Sequence, residues 1–192
     1  MLLANKAVAK KLSSAQRANV YRVHDTPSDD KLEALSGICE TFGYDINIDT
    51  SSENLKKELN KLLIDIKDTP EQNMIQALVV RSMSKAYYTT KNLGHYGLGF
   101  SHYSHFTSPI RRYPDLITHR LLFDYLENKP KGNPMEIEED ASWCSQREII
   151  ASKAQRDSIK YKQVEFLLDK IGKVFDGVVT GITDWGIYVE IT

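Results

Sequence analysis

The sequence has 192 residues, of which 41% are hydrophobic, and a formal net charge of −1. That length suits one domain, or one domain with part of a second, and the apolar share is enough for a buried core. No apolar run approaches the roughly 18 residues that span a bilayer, the first residues lack a secretory signal, and the only cysteines, Cys39 and Cys144, form neither a disulfide framework nor a metal knuckle. A cytoplasmic, non-membrane protein is expected, while the charge balance by itself points to no partner.

Leu2, Leu3, Ala4, Ala7, Val8 and Leu12 predict a first helix that starts near Met1. Val20-Tyr21-Arg22-Val23-His24 reads as a short strand stopped by Thr26-Pro27. Ser28, Asp29 and Asp30 offer N-caps for a helix over 31–42, with Leu32, Leu35 and Ile38 on one face and Gly43 ending it. Residues 46–48 make an extended link. Ser51-Ser52-Glu53-Asn54 then opens a helix carrying Leu55, Leu59, Leu62, Leu63 and Ile66. Pro70 is expected at a first helical position, ahead of a strong helix over 73–89 with Ile75, Leu78, Val79 and Met83 as its stripe.

Residues 91–108 differ. They are aromatic, poor in helix formers and punctuated by Gly94, Gly97 and Gly99, which allow close backbone approach or unusual dihedrals. A helix over 115–127 follows, with Leu116, Ile117, Leu121, Leu122 and Leu126, then a loop over 128–134. A long helix, continuous or broken, reaches from about residue 135 or 138 to about 168. Past Gly172 the pattern alternates as a strand, turns at Thr183-Asp184-Trp185-Gly186, and resumes through Ile187-Tyr188-Val189-Glu190-Ile191. Two strands cannot close a small barrel, so the sequence is expected to stop inside a domain.

Charge is distributed unevenly. Residues 81–120 hold six Lys or Arg against one acid, Asp115, together with four of the five histidines and seven aromatic residues. Cations interleaved with rings suit single-stranded nucleic acid, the cations answering phosphates and the rings stacking on bases. The same composition also suits a packed core helix followed by an aromatic loop.

The run His95-Tyr96-Gly97-Leu98-Gly99-Phe100, continued by Tyr103-Ser104-His105-Phe106-Thr107-Ser108-Pro109-Ile110-Arg111-Arg112-Tyr113-Pro114-Asp115-Leu116 and His119-Arg120-Leu121-Leu122, is similar to the signature block of the ribonuclease II/ribonuclease R (RNB) exoribonucleases. Supporting similarity lies at Met1-Leu2-Leu3-Ala4-Asn5, at Tyr21-Arg22-Val23-His24, and from Cys144-Ser145 to Arg156-Asp157. Arg112-Tyr113-Pro114-Asp115-Leu116 resembles the ribonuclease R branch more than the ribonuclease II branch. From Gly172 the chain resembles the first third of an S1-type RNA-binding barrel. The resemblance implies an α+β fold: residues 1–168 as the mainly helical C-terminal part of an RNB catalytic domain, and 169–192 as the first strands of a truncated S1-type (OB-fold) β-barrel.

The family resemblance implies a processive, 3′-to-5′ hydrolase that shortens single-stranded RNA to nucleoside monophosphates, and a monomer is expected. It also implies Mg2+ held by clustered aspartates, which lie upstream of the position matching Met1. The adjacent pair Asp29-Asp30 reads better as a helix start than as a metal site. This chain alone is therefore expected not to cleave RNA.

Arg111 is the residue the resemblance places on the scissile phosphate, where a planar guanidinium balances charge that grows in the transition state. An internal bridge to Asp115, four residues on, is the structural alternative. Thr107 and Ser108 are placed to donate to the neighbouring phosphate, and Ser108-Pro109 to cap the following helix. Arg112 serves equally as a phosphate contact or a bridge. Tyr96 and Tyr113 are candidate stacking rings, although aromatics beside glycines also staple cores, and His119 either orients Arg111 or a phosphate or is a satisfied core histidine. Trp185 and Tyr188 match aromatic positions that S1-type domains present to RNA. His95, His102 and His105 do not have the spacing of a common zinc site. Two further readings stay open: a non-catalytic RNA-binding module, and a helical piece whose basic window is incidental.

Overall fold

The computed structural model describes residues 1–48 and 51–191. Helices predominate, and two separate antiparallel pairs of strands complete a mixed α+β architecture. The chain divides into two units, Met1–Ile149 and Ile150–Thr192.

In the first unit, α1 (Leu2–Ser14) buries Asn5, Ala9 and Leu12. The strand β1 (Tyr21–Val23) pairs with β2 (Tyr87–Thr89), Tyr21 facing Thr89 and Val23 facing Tyr87. Between these strands lie α2 (Asp29–Thr41), α3 (Ser52–Asp65) and α4 (Gln72–Ser82). Their apolar stripes form one cluster: Leu32, Leu35 and Cys39, then Leu55, Leu59, Leu62 and Ile66, then Ile75 and Val79, with Ile46 between. Burying one Leu or Ile side chain stabilises by about 1.5–3 kcal/mol, and helices this short hold mainly through such packing. Ser51 caps α3 by accepting from Asn54 N at 3.5 Å. Asp29 and Asp30 occupy the first turn of α2, where negative charge opposes the helix dipole.

The helix expected over 73–89 ends at Ser82. Met83 is extended (φ −65, ψ 145), and Tyr87, Tyr88 and Thr89 run as a strand. Aromatic and β-branched residues favour that conformation, and β1 supplies the partner that completes it. Pro70 is not a first helical residue either: Glu71 is the N-cap and the helix starts at Gln72.

The helix α5 (Tyr113–Leu126) has Arg112 as N-cap and Pro114 in its first turn. Ser108-Pro109 therefore does not cap it. Ser108 closes the preceding turn instead, its carbonyl accepting from Arg111 N at 3.3 Å and Arg112 N at 3.1 Å. The helix α6 (Pro134–Leu167) is continuous over 34 residues. Its Ile137, Ala141 and Cys144 pack with Val20, Tyr88 and Ile117 in a second cluster, so β2 and α5 share one support. Ala9, Tyr21 and Val23 form a third, tying α1 to β1.

The second unit contains the rest of α6, a 3-10 turn at Leu168–Lys170, and the hairpin β3 (Gly177–Thr183) and β4 (Gly186–Ile191). Gly177 faces Ile191, and the register shifts between Val179 and Gly181. Among the described residues, no helix is long and apolar enough to cross a membrane.

Candidate nucleic-acid interface

The loop between β2 and α5 has little regular structure, so its shape must come from bonds to neighbours. Its first half is tied to the end of β1. Tyr96 N donates to His24 O at 2.8 Å, and His24 N donates to Gly94 O at 3.2 Å. Gly97 N donates to His24 Nδ1 at 2.9 Å, and a Cβ at residue 97 would stand 2.9 Å from that same nitrogen. Only glycine lets the backbone come so near the ring. With Nδ1 accepting, His24 carries its proton on Nε2 and donates it to Ser84 O at 2.7 Å.

The second half, residues 103–106, is pinned from four sides. Asn5 Nδ2 donates to Tyr103 Oη at 3.1 Å, and Phe106 N donates to Asn5 Oδ1 at 3.2 Å. Asn19 Nδ2 donates to Ser104 Oγ at 2.7 Å, and Arg22 N to Tyr103 O at 2.9 Å. Tyr88 Oη lies 2.8 Å from His105 Nδ1. Burial pushes the Tyr88 phenol up to about 12 and the His105 imidazole down to about 4, the latter aided by the Arg112 and Arg22 charges. At neutral pH the phenol therefore donates and a neutral imidazole accepts. His95 is likewise pushed down to about 4, by burial and then by His24 and Arg22. The Arg22 guanidinium lies 4.5 Å over the Tyr88 ring and donates from Nη2 to Glu148 Oε1 at 2.9 Å.

The turn that follows holds the predicted phosphate residues. The Arg111 side chain is exposed and has no hydrogen bond or ion pair among the described residues, its backbone N–H alone donating to Ser108 O at 3.3 Å. The bridge to Asp115 is made by Arg112, whose Nη2 donates to Oδ1 at 2.8 Å. Asp115 is 0% exposed, and the same Oδ1 accepts from Ser108 N at 2.7 Å. Thr107 Oγ1, Arg112 Nε and Asp115 Oδ2 are buried without partners. His119 Nε2 lies 2.7 Å from Phe106 O, and its ring stacks on Phe106 at 4.0 Å, so this histidine supports the loop from α5.

The candidate rings differ in availability. Tyr96 is 8% exposed, with Lys56 Nζ 4.4 Å above it and His24 at its edge. Tyr113 is 41% exposed and meets Trp143 edge-on at 6.5 Å, beside Glu139 and Asp140 in a groove of 620 Å³. In the second unit, Trp185 at the hairpin turn is 94% exposed and Tyr188 on β4 is 60% exposed.

The structure thus brings Thr107, Ser108, Arg111, Arg112 and Tyr113 onto one turn with His119 beneath it, while Tyr96 belongs to the packed first half of the loop. Sequence reasoning missed Asn5, Asn19, Tyr88 and His105 as the loop's anchors. Two asparagines near the chain start carry no periodic signal, and only three-dimensional pairing reveals their work. Among the described residues no three His, Cys, Asp or Glu side chains converge to hold a metal ion, and Asp29-Asp30 sits at the start of α2. These residues do not fit the Mg2+ that the family resemblance implies.

Comparison with known proteins extends this geometry. Residues 1–128 match the family model described as RNB domain. Ribonuclease R of Aquifex aeolicus (strain VF5) is 38% identical, the alignment covering 100% of this chain and 27% of that protein. Ribonuclease R of Thermotoga maritima is 41% identical, covering 100% and 28%. The chain thus spans about a quarter of the length of these relatives. Among solved structures, Mycoplasma genitalium RNase R in complex with ribose methylated single-stranded RNA aligns with a TM-score of 0.89 and 33% identity, covering 100% of this chain and 31% of that one. Yeast Ssd1, described as a pseudonuclease, aligns over 74% of this chain and 18% of its own, with a TM-score of 0.63 and 27% identity. With its signature turn, its fold and its ribonuclease R relatives in agreement, the chain belongs to the RNB family.

Proposed function

We propose that this chain is the RNA-gripping part of a 3′-to-5′ exoribonuclease that hydrolyses single-stranded RNA to nucleoside monophosphates. The observation that carries the reading is the exposed Arg111, its side chain unpaired among the described residues, on a turn that Asp115 holds through Ser108 and Arg112. A guanidinium free of internal partners can give its fork of donors to phosphoryl oxygens without first breaking a bridge. Ser108, whose N–H is engaged by Asp115, has its hydroxyl as a further phosphate donor, while Thr107, with Oγ1 buried, shapes the turn. Arg112 serves through its bridge to Asp115, and His119 through its hold on Phe106. Tyr113 offers a half-exposed ring beside the phosphate site, and Tyr96 braces the loop. Trp185 and Tyr188 form a stacking platform on what we take to be the opening hairpin of an S1-type barrel, in a cytoplasmic, monomeric parent.

The parent is proposed to use magnesium, which when bound would supply an activated water and steady the leaving oxygen, its ligands then lying outside residues 1–192. The chain's own share is to hold and neutralise the phosphate and to fix its approach.

Titration of labelled oligo(A) tests the reading. A charge-assisted hydrogen bond is worth about 1.5–3 kcal/mol, so Arg111→Ala should weaken binding by about tenfold or more. The slope of log affinity against log salt should fall by about 0.7 with one phosphate contact removed. Equal affinity for both proteins, or none for either, would sink the reading. A non-catalytic RNA-binding module is the alternative, favoured by the alignment with a protein described as a pseudonuclease. Magnesium-dependent, chelator-sensitive shortening of a labelled RNA by the parent protein separates the two.

A further inference from the structure

Resting on the reading of Arg111 as the phosphate contact, we propose that Asp115 is a positioning residue that locks the Thr107–Tyr113 turn and thereby presents Arg111 to RNA. A single carboxylate oxygen accepts both Ser108 N at 2.7 Å and Arg112 Nη2 at 2.8 Å. Ser108 lies near the start of the turn and Arg112 is the N-cap of α5, so these bonds close the turn at both ends. Inside the closure, Ser108 O accepts from Arg111 N and Arg112 N. Arg111 is thus held by its backbone on both sides while its side chain stays unpaired.

The charges are divided accordingly. Arg112 neutralises the wholly buried Asp115, and Arg111 is left as the turn's open cation. A bridge to Arg111 instead would cancel the charge that RNA needs. Asp115 enters from the first turn of α5, one helical turn before the buried Thr118, so its position is fixed by the helix rather than by the loop. The remaining oxygen of Asp115, with Thr107 Oγ1 and Arg112 Nε, is buried and unpaired.

The test is a cycle of variants of the whole chain, read by oligo(A) affinity: Arg111→Ala, Asp115→Asn and the two combined. Asparagine keeps the shape and one acceptor but loses the charge that grips Arg112. The expected result is that Asp115→Asn weakens binding by about the same factor as Arg111→Ala, roughly tenfold, and that the double variant is no weaker than Arg111→Ala alone. Multiplying losses, or an Asp115→Asn protein that binds like the unaltered chain, would overturn the proposal. If Arg111→Ala has no effect, the reading of Arg111 itself fails, which is a different outcome.

Arg112→Lys keeps the test decisive where Asp115→Asn fails to fold. Lysine retains the charge but is shorter and lacks the Nη2 that donates to Asp115 Oδ1. A positioning role predicts weakened RNA binding, no further loss on adding Arg111→Ala, and a shifted Ser108 amide resonance without RNA. Binding unchanged by Arg112→Lys, with an unmoved Ser108 amide, would refute it.

Discussion

Replacing Asn5 with alanine should loosen the loop that carries Arg111, although residue 5 lies in α1, far away in sequence. Asn5 is 3% exposed and spans the gap with both ends of its amide, donating to Tyr103 Oη at 3.1 Å and accepting from Phe106 N at 3.2 Å. Truncation leaves a buried hydroxyl and a backbone N–H without those partners. At about 1–3 kcal/mol for each unsatisfied group, and with partial relaxation, the loss should be about 2–4 kcal/mol. For a chain of this size that corresponds to a thermal midpoint lowered by roughly 5–15 °C. The assay is thermal unfolding followed by circular dichroism, with Tyr103→Phe as the second arm of a double-mutant cycle. On the Tyr103→Phe background, Asn5→Ala should cost about 1 kcal/mol less, because one of the two partners is already gone. A midpoint within about 1 °C of the unaltered chain would refute the reasoning, since two buried bonds of this kind cannot be lost at so small a cost. Oligo(A) affinity should fall in parallel with stability.

Three other outcomes follow from the same structure. His95 and His105, held neutral with values near 4 against an ordinary 6.5, bind fewer protons in the fold than in the unfolded chain. Their contribution to stability is therefore complete above 6.5 and lost as pH falls toward about 4; a thermal midpoint unchanged across that window would contradict the burial of these rings. Gly97→Ala should destabilise by about 1–3 kcal/mol through the clash with His24, whereas Gly37→Ala, in open space on α2, should stabilise by about 0.5–1 kcal/mol; denaturant midpoints moving together would be wrong. Trp185→Ala should weaken oligo(A) binding by about 1–3 kcal/mol if the exposed indole stacks on a base, and an unaltered affinity would remove the hairpin from the RNA surface.

The helices were legible wherever an apolar stripe recurred over several turns, as in Leu55, Leu59, Leu62 and Ile66. The strand at 87–89 was not, because the helical stripe of α4 runs straight into it and only the distant β1 decides the issue. Periodicity is local, and strand pairing across most of the chain is not. At the site, the motif marked the turn that carries Arg111 but left Asp115 undecided between two neighbouring arginines. Spacings of three and four residues are both reachable on a helix. Here the acid lies in the first turn of α5 and Arg112 at its N-cap, so the pairing is settled by where the helix begins. Asn5 and Asn19 were beyond reach for a different reason: a polar residue in a helix or loop advertises nothing about which remote backbone it will bind.

The placement of α2, α3 and α4 between β1 and β2 bears on the order in which the chain assembles. From His24 to Ala86 the polypeptide leaves the sheet and returns to it, and the core of that excursion draws only on its own residues. Closing a flexible loop grows harder only slowly, by about 0.6 kcal/mol for each doubling of length, and a loop that has already condensed delivers its ends nearer together than a random one. The three helices should therefore form early, with large φ-values at Leu59 and Ile75, and the strands should zip afterwards, with small ones at Tyr88. The helices of this excursion would then set the pace at which the turn that carries Arg111 can take shape.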